Sequence, residues 1–73
     1  NNLDTVGLPN CLTGPIARGD TGTITRHIDA LQKAAPQVLP TYKDLGRKVV
    51  PIALAKGKIT EQRAQEMQAI LRD

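Results

Sequence analysis

Apolar side chains recur every three or four positions over most of the chain after residue 20, with polar side chains between them. In the first such stretch the repeating apolar residues are Ile24, Ile28, Leu31 and Ala35. This spacing places them on one face of a helix, because an α-helix completes a turn about every 3.6 residues. We expect the helix to begin near Asp20 or Thr21, with Asp20 as its N-cap, and to end before Pro36.

A second helix is predicted over residues 40–56. Its apolar stripe is Tyr42, Leu45, Val49 and Ile52, widened by Val50, Ala53 and Leu54. So broad an apolar face indicates contact with more than one neighbour. Pro51 lies inside the helix and cannot donate a hydrogen bond to the carbonyl of Arg47. Gly57 is predicted to end the helix as the residue after its C-cap.

A third helix is predicted over residues 60–72, with Thr60 as its N-cap. The residues expected to face inward are Ala64, Met67, Ile70 and Leu71. The pattern therefore predicts an all-α fold with three main helices.

The segment before the first helix is rich in glycine and proline. Residues 1–7 are interpreted as a linker or the end of an earlier helix, and Leu8-Pro9-Asn10 as a turn. Residues 12–28 read L-T-G-P-I-A-R-G-D-T-G-T-I-T-R-H-I, which we interpret as a Gly/Pro-rich loop that runs into the helix. Ile16 and Ala17 could form a short helical turn within it, which Gly19 would end.

This loop is the best candidate for a functional site, and two interpretations of it remain open. Glycines before a helix N-terminus let backbone N–H groups approach an anion, and Arg18 could clamp a carboxylate or phosphate. Alternatively, the loop is a structural turn, since it has neither the Gly-Lys-Ser/Thr of a P-loop nor a G-x-G-x-x-G fingerprint. Asp20 is ambiguous in the same way, because as an N-cap it would occupy the N–H groups that a ligand needs.

Composition narrows the class of protein. The 73 residues suffice for one small domain, but with one Tyr, one Met and no Trp or Phe the core is thin. Either the helices pack economically, or their apolar faces rest on something outside this chain, which we interpret as a piece of a longer polypeptide. The formal charge of +3 is spread along the chain, without the clustered basic face or aromatic platform of a nucleic-acid-binding protein.

No catalytic or metal-binding constellation is evident. Cys11 and His27, each the only residue of its type, have no metal-ligand spacing. Cys11 is interpreted as a small buried hydrophobe, His27 as a boundary residue and Tyr42 as a core residue with its hydroxyl at the edge. The lone cysteine favours a reduced, cytoplasmic setting, and no apolar run approaches the length of a membrane span.

The loop and the helices together carry a resemblance to a known family. The matching segments are T-G-P-I-A-R-G-D-T-G-T at residues 13–23, Arg26-His27-Ile28, Leu31, Pro36, Tyr42, Leu45-Gly46-Arg47, residues 54–57 and Ala69-Ile70-Leu71. They resemble the helical C-terminal domain, of unknown function, of an uncharacterised family of bacterial Rossmann-like oxidoreductases. The resemblance covers nearly all of residues 1–73, and the loop is its most specific part.

More remotely, the loop is similar to the Thr-Ser-Pro-Gly-Gly-Thr-Thr stretch of pyrroline-5-carboxylate reductase, a relative in plan of the ketopantoate reductases. In these families a Rossmann domain binds NAD or NADP, and a C-terminal domain like that of 6-phosphogluconate dehydrogenase closes the substrate pocket and often forms the dimer. The resemblance implies a pocket near Thr13, Gly14, Pro15, Arg18 and Asp20. Arg18 departs from the reductase pattern, so the same substrate is not implied.

The resemblance thus leads us to expect the substrate-pocket and dimerisation domain of an NAD(P)-dependent oxidoreductase, inactive alone. Its expected partners are an upstream Rossmann domain, which would bind most of the cofactor, a second copy of the protein and a small-molecule substrate. No membrane or nucleic acid is expected as a partner. The alternative is a helical dimerisation or protein-interaction module without a substrate role.

Overall fold

Four α-helices form most of residues 7–72, the part of the chain that the computed structural model describes, with side chains described from residue 12. They are α1 (Gly7–Arg18), α2 (Thr21–Ala34), α3 (Leu39–Ala55) and α4 (Glu61–Ile70), with a 3-10 turn at Pro36–Val38. The described residues contain no strand, so the predicted all-α class is confirmed. None of the described helices is long and apolar enough to cross a membrane.

Helices α2, α3 and α4 correspond to the three predicted helices, whereas α1 replaces the predicted Gly/Pro-rich loop. The interpretation of residues 12–18 as a loop and of Leu8-Pro9-Asn10 as a turn is therefore wrong, because both segments are helical. The interpretation of residues 1–6 falls outside the described part of the chain.

Burial explains why α1 is helical despite Pro15. Leu12, Pro15, Ile16 and Gly19 are all buried, and their spacing defines one helical face, which packs mainly against α3. Proline inside a helix costs about 3 kcal/mol, and full burial of a Leu or Ile side chain returns roughly 1.5–3 kcal/mol. Since Leu12 and Ile16 are both fully buried, packing outweighs the local preference.

Two residues, Gly19 and Asp20, connect α1 to α2. Gly19 has φ +67°, and its N–H donates to the Ile16 carbonyl at 3.0 Å while the Asp20 N–H donates to the Pro15 carbonyl at 2.8 Å. This pair of bonds is the Schellman ending of a helix. Asp20 is also the N-cap of α2, because its Oδ1 accepts from the Thr23 N–H at 3.0 Å. The predicted roles of Gly19 as a helix end and Asp20 as a cap are confirmed.

The core draws on all four helices, with α3 in contact with each of the others. Its buried apolar residues are Leu12, Ile16, Ile24, Leu31, Tyr42, Val50, Ala53, Ala64, Met67 and Leu71. The inward faces predicted for α2 and α4 are confirmed, with Ile28, Ala35 and Ile70 partly buried.

The buried stripe of α3 is rotated from the predicted one. Gly46 is buried where the prediction had Leu45, and Ile52 is 54% exposed. A Cβ placed on Gly46 would lie 2.9 Å from both Leu71 methyl groups and 3.4 Å from Leu12 Cδ2. The lack of a side chain at Gly46 thus lets Leu12 of α1 and Leu71, the C-cap of α4, pack closely on α3.

The connection from α3 to α4 follows its sequence signals. Gly57 has φ +73°, and the N–H groups of Gly57 and Lys58 donate to the carbonyls of Leu54 and Ala53, both at 3.0 Å. Thr60 Oγ1 then accepts from the Arg63 N–H at 3.1 Å and caps α4. The predicted roles of Gly57 and Thr60 are confirmed.

Basic side chains of α3 bind the far end of α4. Arg47 Nη1 donates to the Leu71 carbonyl at 2.6 Å, and Lys43 Nζ donates to the Arg72 carbonyl at 3.2 Å. Positive charge at a helix C-terminus satisfies its last carbonyl groups and opposes its dipole. These two bonds therefore fix the C-terminal end of α4 to α3.

Candidate functional site

The five residues of the predicted pocket lie along α1 and at the α1–α2 corner. Thr13 is exposed, Gly14 is half-buried and Pro15 is buried on the face of α1 that packs into the protein. Because this segment is helical, the backbone N–H groups of Thr13 and Gly14 do not form the loop cradle that the sequence suggested, and Pro15 has no N–H to contribute. Arg18 and Asp20 flank Gly19 at the corner.

Arg18 lies in a shallow cleft of about 200 Å³, which we call the corner cleft. Its lining residues are Arg18, Gly19, Lys58, Ile59, Thr60 and Arg63. Three of the six carry a positive charge and none carries a negative one. This lining attracts anions, and the attraction is reduced by Asp20 beside Arg18 and by Glu66 beside Arg63. The corner cleft is therefore the feature of the described chain best suited to bind a small anionic group.

Arg63 holds the two sides of the corner cleft together. Its Nη1 donates to the Gly19 carbonyl at 3.0 Å, across 44 positions of sequence, and its Nε lies 3.3 Å from Glu66 Oε1. Its Cγ is also 3.0 Å from where a Cβ on Gly19 would lie. Arg63 thus fixes the N-terminal turn of α4 against the α1–α2 corner and contributes charge to the cleft.

Arg18 is more exposed than Arg63, the other arginine that lines the corner cleft. Its side chain is 64% exposed, and its Nη2 lies 3.8 Å from Asp20 Oδ2. An ion pair this long and this exposed contributes little to stability. Arg18 can therefore turn toward an incoming carboxylate or phosphate at small cost.

The carboxylate of Asp20 is occupied by hydrogen bonds within the protein. Its carboxylate accepts from the Thr23 hydroxyl at 2.7 Å and from the Thr23 N–H at 3.0 Å. These two bonds, helped by the charges of Arg18 and Arg26, hold the pKa of Asp20 below its ordinary value. A carboxylate bound in this way stays ionised and is a poor general acid, so its role here is to fix the start of α2.

Thr13 lines a different depression, which we call the flank cleft. It has a volume of about 160 Å³ and is lined by Thr13, Ala17, Val49, Ile52, Ala53, Lys56 and Lys58. Its walls are mostly apolar. Lys58 lines both clefts, so they adjoin at this residue.

His27 and Tyr42 contact one another and line neither the corner cleft nor the flank cleft. Tyr42 is fully buried, its hydroxyl lies 3.2 Å from His27 Nδ1, and the rings meet edge to face at 82°. The pair links α2 to α3. Among the described residues no group of three metal-ligating side chains occurs. The Cys11 side chain lies outside the described residues, so its predicted burial stays a prediction.

Sequence reasoning did not identify Lys58 and Arg63 as members of a site. Gly57 and Thr60 are readable signals for the end of α3 and the start of α4, and they place Lys58 in a short connection. Neither signal indicates that this connection packs beside Arg18, since that proximity depends on how α4 docks against α1 and α2.

Comparison with known proteins identifies a family but no function. No curated protein and no solved structure matches the chain. A family model, a domain of unknown function (DUF2520), matches residues 1–49, about two thirds of the 73. The chain therefore belongs to the DUF2520 family.

Proposed function

We propose that this chain is the substrate-pocket and dimerisation domain of an NAD(P)-dependent oxidoreductase whose Rossmann domain precedes it. The corner cleft is the observation that carries the substrate role. Arg18, Lys58 and Arg63 meet there from three separate segments of the chain, without a lining carboxylate. The resemblance of residues 13–23 to reductase pocket loops supports the same assignment.

In this proposal the nicotinamide supplies the hydride, and this domain supplies position and charge. Helices and turns make up residues 7–72, so the strand–loop–helix unit that binds a dinucleotide is assigned to the preceding domain. Arg18 would hold an anionic group of the substrate, and Thr13 would bind a polar oxygen from the adjoining flank cleft. Asp20 and Gly14-Pro15 would act by shaping the corner that carries Arg18. The domain alone has no catalytic activity.

The test is the steady-state kinetics of the complete protein with either cofactor, over a panel of small carbonyl and imine compounds with and without a carboxylate. Loss of a charged clamp costs roughly 1.5–3 kcal/mol, so Arg18→Ala should raise KM for an acidic substrate at least about tenfold. The KM for a neutral analogue should stay the same. Lys33→Ala is the matched control, because Lys33 is an exposed cation of α2 that does not line the cleft. An unchanged KM for the acidic substrate in Arg18→Ala removes the role proposed for Arg18.

A second candidate function is a helical interaction module without a substrate. The observation that favours it is Ile52, the large apolar side chain that is 54% exposed, at the edge of the mostly apolar flank cleft. In that case Ile52→Asp should weaken association with the partner, whereas Arg18→Ala should alter neither association nor activity.

A further inference from the structure

A groove of about 470 Å³ lies between α3 and α4. Arg63, which contacts the α1–α2 corner, does not line it. Its lining residues are Val50, Pro51, Leu54, Glu61, Ala64, Gln65, Gln68, Ala69 and Arg72. Helix α3 contributes three apolar side chains to it. Helix α4 and the residue that follows its C-cap contribute small, amide and charged side chains.

The groove residues between positions 61 and 72 form three pairs that are symmetric in sequence and matched in residue type. Glu61 and Arg72 are opposite charges at the two ends, Ala64 and Ala69 are two alanines, and Gln65 and Gln68 are two glutamines at the centre. Each pair lies symmetrically about the midpoint between residues 66 and 67. A two-fold axis through that midpoint, perpendicular to α4, would therefore place Glu61 opposite Arg72 and Gln65 opposite Gln68 of a second copy.

We propose that this groove binds a second copy of the same chain, with the two α4 helices antiparallel about a two-fold axis. In a two-fold interface the same patch serves both subunits, so the patch must be complementary to itself. The accessible residues of the groove meet this condition with two Glu61–Arg72 pairs and two Gln65–Gln68 contacts.

The side-chain types fit this arrangement. The exposed Ala69 lets two helices approach closely, and Pro51 and Leu54 of α3 supply the apolar surface that the second α4 would cover. Val50 and Ala64 lie in the core beneath this surface. Glu61, Gln65 and Arg72 are exposed, so they can reach across an interface. Gln68 donates to the Arg47 carbonyl through its Nε2, which leaves its carbonyl oxygen and its second N–H for Gln65 of the other copy.

This inference gives the dimerisation part of the proposed function a surface and is independent of its substrate role. The test is sedimentation equilibrium of the 73-residue chain and of charge-reversed variants. Glu61→Arg would place Arg opposite Arg72 twice per dimer, and Arg72→Glu would place Glu opposite Glu61 twice. Each change should weaken dimerisation at least about tenfold, because like charges facing one another across an interface are repulsive. The double variant E61R/R72E exchanges both members of the pair and should return the dissociation constant to within about threefold of the original.

The control is the pair Asp29→Arg and Lys33→Glu, charge reversals at exposed positions of α2 outside the groove, which should leave dimerisation unchanged. Circular dichroism of every variant checks that α4 remains helical. A chain that is monomeric up to its highest soluble concentration overturns the inference. So does a dimer that the single reversals leave intact, or one that the double reversal fails to restore. Dimerisation through another face would overturn this interface while leaving the proposed oxidoreductase function in place.

Discussion

The side-chain amide of Gln68 in α4 donates to the main-chain carbonyl of Arg47 in α3 at 3.3 Å. In a regular helix this carbonyl would accept from the N–H four residues later, but that residue is Pro51, which has none. Gln68 thus supplies from a neighbouring helix the donor that the sequence of α3 lacks. The same bond ties α4 to the middle of α3.

This relationship predicts coupling between Gln68 and Pro51. Gln68→Ala should lower the free energy of unfolding by about 1 kcal/mol, the net value of a typical hydrogen bond. In a Pro51→Ala background, residue 51 has its own N–H to donate to the Arg47 carbonyl. The loss of unfolding free energy caused by Gln68→Ala should then fall to roughly a few tenths of 1 kcal/mol. Urea unfolding of the four proteins gives the coupling energy. Measurement at two protein concentrations separates it from self-association, and equal costs in both backgrounds would contradict it.

Replacement of Gly46 tests the close packing of α1 and α4 on α3. In an exposed helix Gly→Ala stabilises by about 0.5–1 kcal/mol, but a Cβ on Gly46 would lie 2.9 Å from both methyl groups of the fully buried Leu71. Gly46→Ala should therefore destabilise the fold by about 1–3 kcal/mol. Gly22→Ala is the control, since the nearest atom to its Cβ would be Arg26 Nη1 at 3.5 Å. A gain of stability at both positions would contradict the packing described for Gly46.

Comparison of alanine substitutions at Gly19 and Gly57 tests the packing of Arg63 against the α1–α2 corner. Both end a helix with positive φ, so an alanine at either position should cost about 1–2 kcal/mol in the left-handed region. A Cβ on Gly19 would also meet Arg63 Cγ at 3.0 Å, whereas no heavy atom lies within 4 Å of one on Gly57. Gly19→Ala should therefore shift the urea midpoint further than Gly57→Ala. The difference should shrink when Arg63 is also changed to Ala. Equal effects would mean that Arg63 does not pack against the corner as described.

The pH dependence of stability should report on Asp20. Folding holds the pKa of its carboxyl below the ordinary 3.8, chiefly through the two bonds from Thr23. The stabilisation is therefore complete above that ordinary value and is lost as pH falls through the lower pKa of the folded state. Asp20→Asn keeps a capping oxygen but does not titrate, so its stability should fall less steeply below about pH 4. Thermal unfolding across this range checks the prediction, and parallel curves for the two proteins would contradict it.

Asp44 provides the comparison for that experiment. Its pKa is also lowered, by the hydrogen bond and charge of Lys48 and by the charge of Arg47. Asp44→Asn should therefore remove a separate part of the acid sensitivity. The stability of the double variant D20N/D44N should depend less on pH, below about pH 4, than the stability of either single variant.

The sequence was sufficient for features that depend on nearby residues. Asp20, Gly57 and Thr60 cap or end helices by contacts within a few positions, and all three could be predicted. Helix α1 is not predicted, because the glycines and proline of residues 12–19 favour a loop. The buried spacing of Leu12, Pro15, Ile16 and Gly19 was a helical signal that outweighed them.

Features that depend on packing between distant segments could not be predicted. The burial of Gly46 in α3 depends on the close approach of Leu71, 25 positions later in the chain. The corner cleft depends on a bond from Arg63 to the Gly19 carbonyl across 44 positions. No local pattern of charge or hydrophobicity encodes either contact. The sequence therefore identified Arg18 as a candidate without its neighbours Lys58 and Arg63.

Cofactor titration of the protein encoded by the complete reading frame tests the oxidoreductase proposal most directly. The 73-residue chain is the control, because the dinucleotide site is assigned to the preceding domain. The proposal predicts saturable binding of NADH or NADPH by the complete protein and none by the 73-residue chain, with a strand–G-x-G-x-x-G/A–helix unit encoded upstream of Asn1. A complete protein that binds neither cofactor, or that lacks such a unit, would contradict it.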